Sequence, residues 1–178
     1  MGVGSMENEE SVSPVRRHAR LFFLCGLFFL CVVVVAVIVY KEHARDPVLR
    51  VVFLNVGQGD ALFIESPTGV QVLIDGGPDT MVSQGLSREM GFFDRNLDMI
   101  IATHEDKDHV GGLPGVFARY SVGTFLRTEN QGDSDVAEKV DTLPTERDAE
   151  VVYARRGMYF NLGGGGILTI LFPDRNPT

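Results

Sequence analysis

Histidine is scarce in this chain of 178 residues and unevenly placed: His18, His43, His104 and His109 are the only four, so none follows position 109. Cysteine is scarcer, with Cys25 and Cys31 alone, and from residue 41 onward there is none. That absence excludes a disulfide framework beyond residue 40. Basic residues are also in short supply. Asp46 to Thr178 carries 11 Lys and Arg against 20 Asp and Glu, so the formal charge of −8 belongs to that stretch. An acidic surface argues against a broad nucleic-acid groove, because phosphate contacts need Lys and Arg. Two glycine motifs are incomplete as well. Gly163 to Gly166 lacks the Lys-Ser/Thr of a phosphate-binding loop, and Gly57-Gln58-Gly59 lacks the third glycine and the helix of a dinucleotide fingerprint.

Charge is missing altogether from Leu21 to Tyr40, LFFLCGLFFLCVVVVAVIVY. At about 1.5 Å per residue, twenty helical residues span roughly 30 Å, the thickness of a bilayer's hydrocarbon layer. A cleaved signal peptide would have a shorter apolar region of about 7–15 residues and a small-x-small cleavage site. This run instead ends Val37-Ile38-Val39-Tyr40-Lys41, which favours an uncleaved anchor and makes the membrane a partner. Both cysteines lie inside it. Arg16, Arg17 and Arg20 cluster before the span, while Lys41, Arg45 and Arg50 are spread after it. The expected orientation is a cytoplasmic N-terminus and an extracytoplasmic domain. The organisation is then a polar tail at 1–20, a transmembrane helix at 21–40, a linker at 41–48 and one small domain at 49–178.

Strand signals are dense after the linker: Leu49 to Val56, Ala61 to Glu65 and Val70 to Ile74, the last two separated by the turn Ser66-Pro67-Thr68-Gly69. Such nearly all-apolar strands are expected to be buried on both faces. A helix is expected over Met81 to Met90, a fourth strand over Leu97 to Ala102, and a helix over Val110 to Tyr120. Then come a strand at Val122 to Leu126, a helix at Ser134 to Leu143 with Ser134 as N-cap, and strands at Glu150 to Ala154 and Ile167 to Phe172. A turn around the four glycines at 163–166 is expected to join these last two strands as a hairpin. Strands first, then strand–helix alternation, indicate an α/β or α+β sandwich with helices outside.

The chemistry is concentrated in His104-Glu105-Asp106-Lys107-Asp108-His109, directly after the fourth strand and before Gly111-Gly112. Imidazole and carboxylate are ligands for borderline and hard divalent cations. His104 and Asp106 alternate and point the same way in an extended loop. Asp108 and His109 are adjacent and diverge unless the chain turns, which suits a second metal about 3.5–4 Å from the first. Asp108 is also the candidate catalytic residue. Glu105 and Lys107 would face solvent. Gly111 and Gly112 allow close backbone approach, and a helix starting there would point free N–H groups at an anion. Asp75, at the end of the third strand in Asp75-Gly76-Gly77, is placed either to orient a ligating imidazole or to form a turn. Asn55, Gln58 and Asp60, between the first two strands, either line a site or satisfy their own turn.

Taken together, LNVGQGDALFIESPTG, VLIDGG and DMIIATHEDKDHVGGLPGVFARYSVG resemble the metallo-β-lactamase-fold hydrolases. The subgroup they are most similar to is the ComEC-like one, the extracellular domain of competence DNA-uptake channel proteins. Most of that superfamily has histidine at the third position of the hexapeptide; the subgroup has aspartate, as here at Asp106. The resemblance implies the first part of an αβ/βα sandwich, with His104 and Asp106 serving one metal, Asp108 and His109 a second, and Asp75 behind them. It implies two divalent ions in an intact member. A carboxylate in place of an imidazole hardens the site, so manganese stands beside zinc.

The family's second half supplies further ligands, including a late histidine, and no histidine follows His109 here. The domain is therefore expected to be incomplete at its C-terminus, a fragment or a degenerate product. Two readings follow. One is a membrane-anchored metal-dependent hydrolase acting on a phosphodiester, in nucleic acid or in a small molecule, with a β-lactam or other acyl substrate as the second choice. The other is an inactive membrane protein that binds a metal or a partner.

Overall fold

The computed structural model describes residues 14–43, 48–129 and 135–173, apart from the side chains of 14–17 and 41–43. The chain divides into two compact units, 1–45 and 46–178. In the first, Pro14–His43 is one helix, α1. Within it His18–Tyr40 is long and apolar enough to cross a membrane, and its large side chains are exposed within the unit. The helix is longer at both ends than the expected span, because charged flanks are helix formers in their own right. Ser134, the expected N-cap, lies outside the described residues.

The second unit is built on a six-stranded sheet in the order β1-β2-β3-β4-β5-β6. β1 (Arg50–Phe53), β2 (Leu62–Glu65) and β3 (Gln71–Ile74) form an antiparallel meander. β4 (Asn96–Ile101), β5 (Ser121–Arg127) and β6 (Glu150–Tyr153) then continue the sheet in parallel from β3. Parallel neighbours need crossovers, and helices supply them. α2 (Met81–Glu89) links β3 to β4, α3 (Lys107–Val110) and α4 (Leu113–Phe117) link β4 to β5, and α5 (Asp135–Glu146) lies between β5 and β6. A separate antiparallel hairpin joins β7 (Tyr159–Gly163) to β8 (Gly166–Thr169).

Alternation along the central strands divides the core in two. Leu73, Ile100 and Phe125 face the helices and meet Leu86, Phe117 and Val140. Val72, Ile101 and Leu126 face the other way and meet Leu162, Phe160 and Leu168 of the hairpin. The expected burial on both faces therefore holds for β3, β4 and β5, where complete burial of one such side chain is worth about 1.5–3 kcal/mol. It fails for β1. As the sheet's edge strand it leaves Val51 and Phe53 exposed, Phe53 at 84%. The helix expected over Val110 to Tyr120 is two short helices. The Gly111-Gly112 corner interrupts it, because the chain there packs against another backbone segment. β7 was not among the expected strands: the glycine turn joins it to β8, while β6 belongs to the main sheet. Thr68 Oγ1 donates to the carbonyl of Leu162, 2.9 Å away, fastening the hairpin to the β2–β3 turn.

Candidate metal centre

The loop that carries the candidate ligands leaves the C-terminal end of β4, where parallel sheets place their sites. Asp75 leaves the neighbouring end of β3. Its backbone is left-handed, with φ at 58°, a conformation that Asp tolerates better than most residues. Its amide still donates to Ile101 O at 2.8 Å, so the strand pairing runs to the point where the chain turns. The turn carries the carboxylate over the first residues beyond β4. Asp75 is buried, 3% exposed.

Both oxygens of Asp75 are used. Oδ1 accepts the Thr103 amide at 2.9 Å, and Oδ2 accepts the Thr103 hydroxyl at 2.6 Å. Oδ2 also lies 3.0 Å from Nδ1 of His109. A carboxylate has no proton to give, so both of these partners donate to it. The Thr103 proton is thereby committed, and its oxygen accepts from His104 Nδ1 at 3.0 Å. Asp75 thus fixes both imidazoles by Nδ1, one directly and one through Thr103. Nε2 of each ring is left as the lone-pair donor. Both readings of Asp75 have a counterpart in the geometry: its left-handed backbone turns the chain, and its carboxylate lies against His109. Thr103 was not among the sequence candidates, and the only signal for it is its position one residue before His104.

The remaining carboxylates lie beside those Nε2 atoms. Asp106 Oδ2 is 3.5 Å from Nε2 of His104, and Asp108 Oδ2 is 3.9 Å from Nε2 of His109. The extended backbone at Asp106, with ψ at 143°, aligns its side chain with that of His104. Asp106 occupies the N-cap position of α3 yet makes no side-chain capping bond, so its oxygens stay with the imidazole. The single turn of α3 swings His109 back, and the two rings approach to 3.8 Å between centroids. Because the chain turns here, Asp108 and His109 do not diverge as an extended loop would have them do. His104, Asp106 and Asp108 are well exposed to an incoming ion, while His109 is mostly covered.

The four sequence candidates form two imidazole–carboxylate pairs. Their donor chemistry fits divalent cations, with His104 and Asp106 on one side and Asp108 and His109 on the other. Among the described residues, no three His, Cys, Asp or Glu side chains are gathered into a cage. The arrangement presents donors in pairs and leaves coordination positions to be filled by water, substrate or other groups.

Two expectations are corrected. Glu105 does not face solvent. Its side chain is 7% exposed and ion-paired with Arg127, whose guanidinium also reaches Asp141 of α5. Nor are the amides of Gly111 and Gly112 free for an anion: they donate to Lys107 O and Gly77 O at 2.8 and 2.9 Å. The glycines serve close approach instead. A Cβ at Gly112 would lie 2.2 Å from Gly76 O and 2.3 Å from Asp79 O. The β1–β2 loop closes on the site from another side, because a Cβ at Gly59 would lie 2.0 Å from Asp108 O. The loop after β4, from Thr103 to Lys107, forms one wall of a cleft of about 940 Å³ whose other walls are mostly apolar, among them Ile74, Leu126, Ile170 and Phe172.

The candidate ligands thus lie on the loop after β4, with the Asp75 carboxylate after β3 behind them. A family model for the metallo-beta-lactamase superfamily matches residues 54–158, more than half of the chain, and the chain belongs to that superfamily. Solved structures resemble it at low identity. The metallo-beta-lactamase SMB-1, in a crystal structure bound to 2-mercaptoethanesulfonate, is 20% identical with a TM-score of 0.45, over 64% of this chain and 47% of that one. The Rm3 metallo-beta-lactamase is 20% identical with a TM-score of 0.44, over 63% and 45%. The chain thus spans somewhat less than half the length of these two structures. No curated protein sequence matches it.

Proposed function

We propose that the chain is a membrane-anchored, divalent-metal hydrolase of the metallo-β-lactamase superfamily, acting on phosphodiesters. The observation that carries the metal assignment is the single carboxylate of Asp75, which meets Nδ1 of His109 directly and reaches Nδ1 of His104 through the Thr103 hydroxyl. His104 and Asp106 would hold one ion, Asp108 and His109 the other, with zinc and manganese as the fitting metals. Bound there, the ions would supply water activation and polarisation of the attacked group. This chain's own residues do the rest: Asp75 and Thr103 orient the imidazoles, and Asp108 is the acidic group placed to take a proton from an attacking water. The ComEC-like order of motifs, with Asp106 in the third position, supports a phosphodiester and a link to DNA uptake. The acidic domain suits a short or small phosphodiester better than a long duplex. The α1 span supports anchoring, with the N-terminus cytoplasmic and the domain extracytoplasmic.

The test is hydrolysis of bis-p-nitrophenyl phosphate and of a short single-stranded DNA by the full chain in detergent, with manganese or zinc supplied. Activity that His104→Ala and Asp108→Ala abolish supports the reading. Turnover of a β-lactam or carboxylic ester alone would replace the phosphodiester with an acyl substrate. A second reading is favoured by the pairing of donors without a three-donor cage: a protein that binds a metal or a partner and does not catalyse. Metal bound stoichiometrically with no turnover of any of these substrates selects it.

A further inference from the structure

Glu105 sits between two candidate ligands, yet its own carboxylate points inward. It meets Arg127, the last residue of β5, and Arg127 is buried at 6% exposure. The same guanidinium pairs with Asp141 on α5, while its Nε donates to Thr128 O at 3.2 Å. The Arg127 carbonyl in turn accepts the Ala154 amide at 2.7 Å, just beyond β6. One guanidinium therefore joins the loop after β4 to β5 and α5, and the same residue's carbonyl continues the pairing toward β6. Covering the charged ends of Glu105 and Arg127, with Asp141 partly exposed beside them, is costly, and the cost is offset only when their hydrogen bonds are well made. Apolar residues of similar size would close the same space without that cost.

What the ion pairs add is direction. In an extended segment, neighbouring side chains point to opposite sides. Drawing Glu105 inward turns His104 and Asp106 outward together, and these are the two whose donors lie 3.5 Å apart. We infer that Glu105, Arg127 and Asp141 form a clamp that sets the register of the metal loop, with Arg127 as its positioning residue. The clamp acts through the loop and touches no reacting atom. Its link to metal affinity rests on the metal reading above, while its hold on the loop does not.

The experiment uses the full chain in detergent and two variants. Glu105→Gln keeps the shape and removes the charge; the triple variant Glu105→Leu, Arg127→Met, Asp141→Leu refills the space with apolar groups. Amide hydrogen exchange across residues 103–110 is followed without metal, and zinc and manganese binding is then titrated. In Glu105→Gln the loop should exchange faster and metal affinity should fall about 10–100-fold, the range for a lost group behind a ligand. The triple variant should keep or regain the thermal stability of the parent while its loop stays fast and its affinity low. A merely structural triad would instead show restored affinity along with restored stability, and that overturns the clamp. Unchanged loop exchange in both variants overturns it as well. If the parent chain binds neither metal, the metal reading fails on its own and the exchange measurement still decides the clamp.

Discussion

Oδ2 of Asp75 lies 3.0 Å from Nδ1 of His109, and the same oxygen accepts the Thr103 hydroxyl that holds His104. One buried carboxylate therefore sets the tautomer of both imidazoles.

Asp75→Asn should weaken zinc or manganese binding by about 10–100-fold, the usual cost of losing such a partner. An amide has one oxygen acceptor in place of two, and its NH₂ would face donors. Equilibrium dialysis against metal buffers measures the change. Affinity within twofold of the parent would remove Asp75 from its orienting role.

Thr103 separates the two rings experimentally. Thr103→Ser keeps the hydroxyl relay to His104 and should bind metal as the parent does. Thr103→Val removes it and should weaken binding roughly tenfold, at the low end for such groups. Equal binding by both variants would show that His104 is oriented without Thr103.

Gly59→Ala probes the third wall of the site. Gly59 has φ at 109°, and a Cβ there would sit 2.0 Å from Asp108 O. The substitution is strained at the backbone, at a cost of about 1–3 kcal/mol, and it must displace Asp108. A lower midpoint in urea together with weaker metal binding is expected. Lost stability with intact metal binding would mean that the loop moves and Asp108 does not.

The placement of the hexapeptide on a loop after an apolar strand was legible because it is local: four candidate donors in six residues need no long-range information. The meander and the alternating α/β part were legible for the same reason, since apolar runs and turn residues mark them directly. The rest was set by distant partners. Nothing near Glu105 signals that Arg127, 22 residues away, will draw it inward. Thr103 acquires its role from the β3–β4 register, which brings Asp75 alongside. β1 looked like β3 in composition and differs only in lying at the sheet's edge. The free amides expected at Gly111 and Gly112 are spent on Lys107 and on the Gly77 loop that packs there.

Alkaline pH should act through Tyr120, away from the metal loop. Burial pushes its phenol above its ordinary value, while Arg95 and Arg119 lower it and Asp94 raises it. Arg95 lies over the ring, 5.6 Å from its centroid. Because the folded value is the higher one, the unfolded chain loses this proton first as pH rises. The contribution is intact below pH about 10, the ordinary tyrosine value, and is lost as pH climbs through the folded value. Thermal melts of the parent against Tyr120→Phe should therefore show the parent losing stability more steeply above that pH. Parallel curves would place the alkaline loss elsewhere.

The central claim is that the loop after β4 holds metal through His104 and His109. Its most direct measurement is the metal content of the full chain after exposure to zinc or manganese and exhaustive dialysis, beside the double variant His104→Ala, His109→Ala. At least one divalent ion per parent chain and none in the variant is the predicted result. A metal-free parent, or a variant that retains as much metal as the parent, would contradict it.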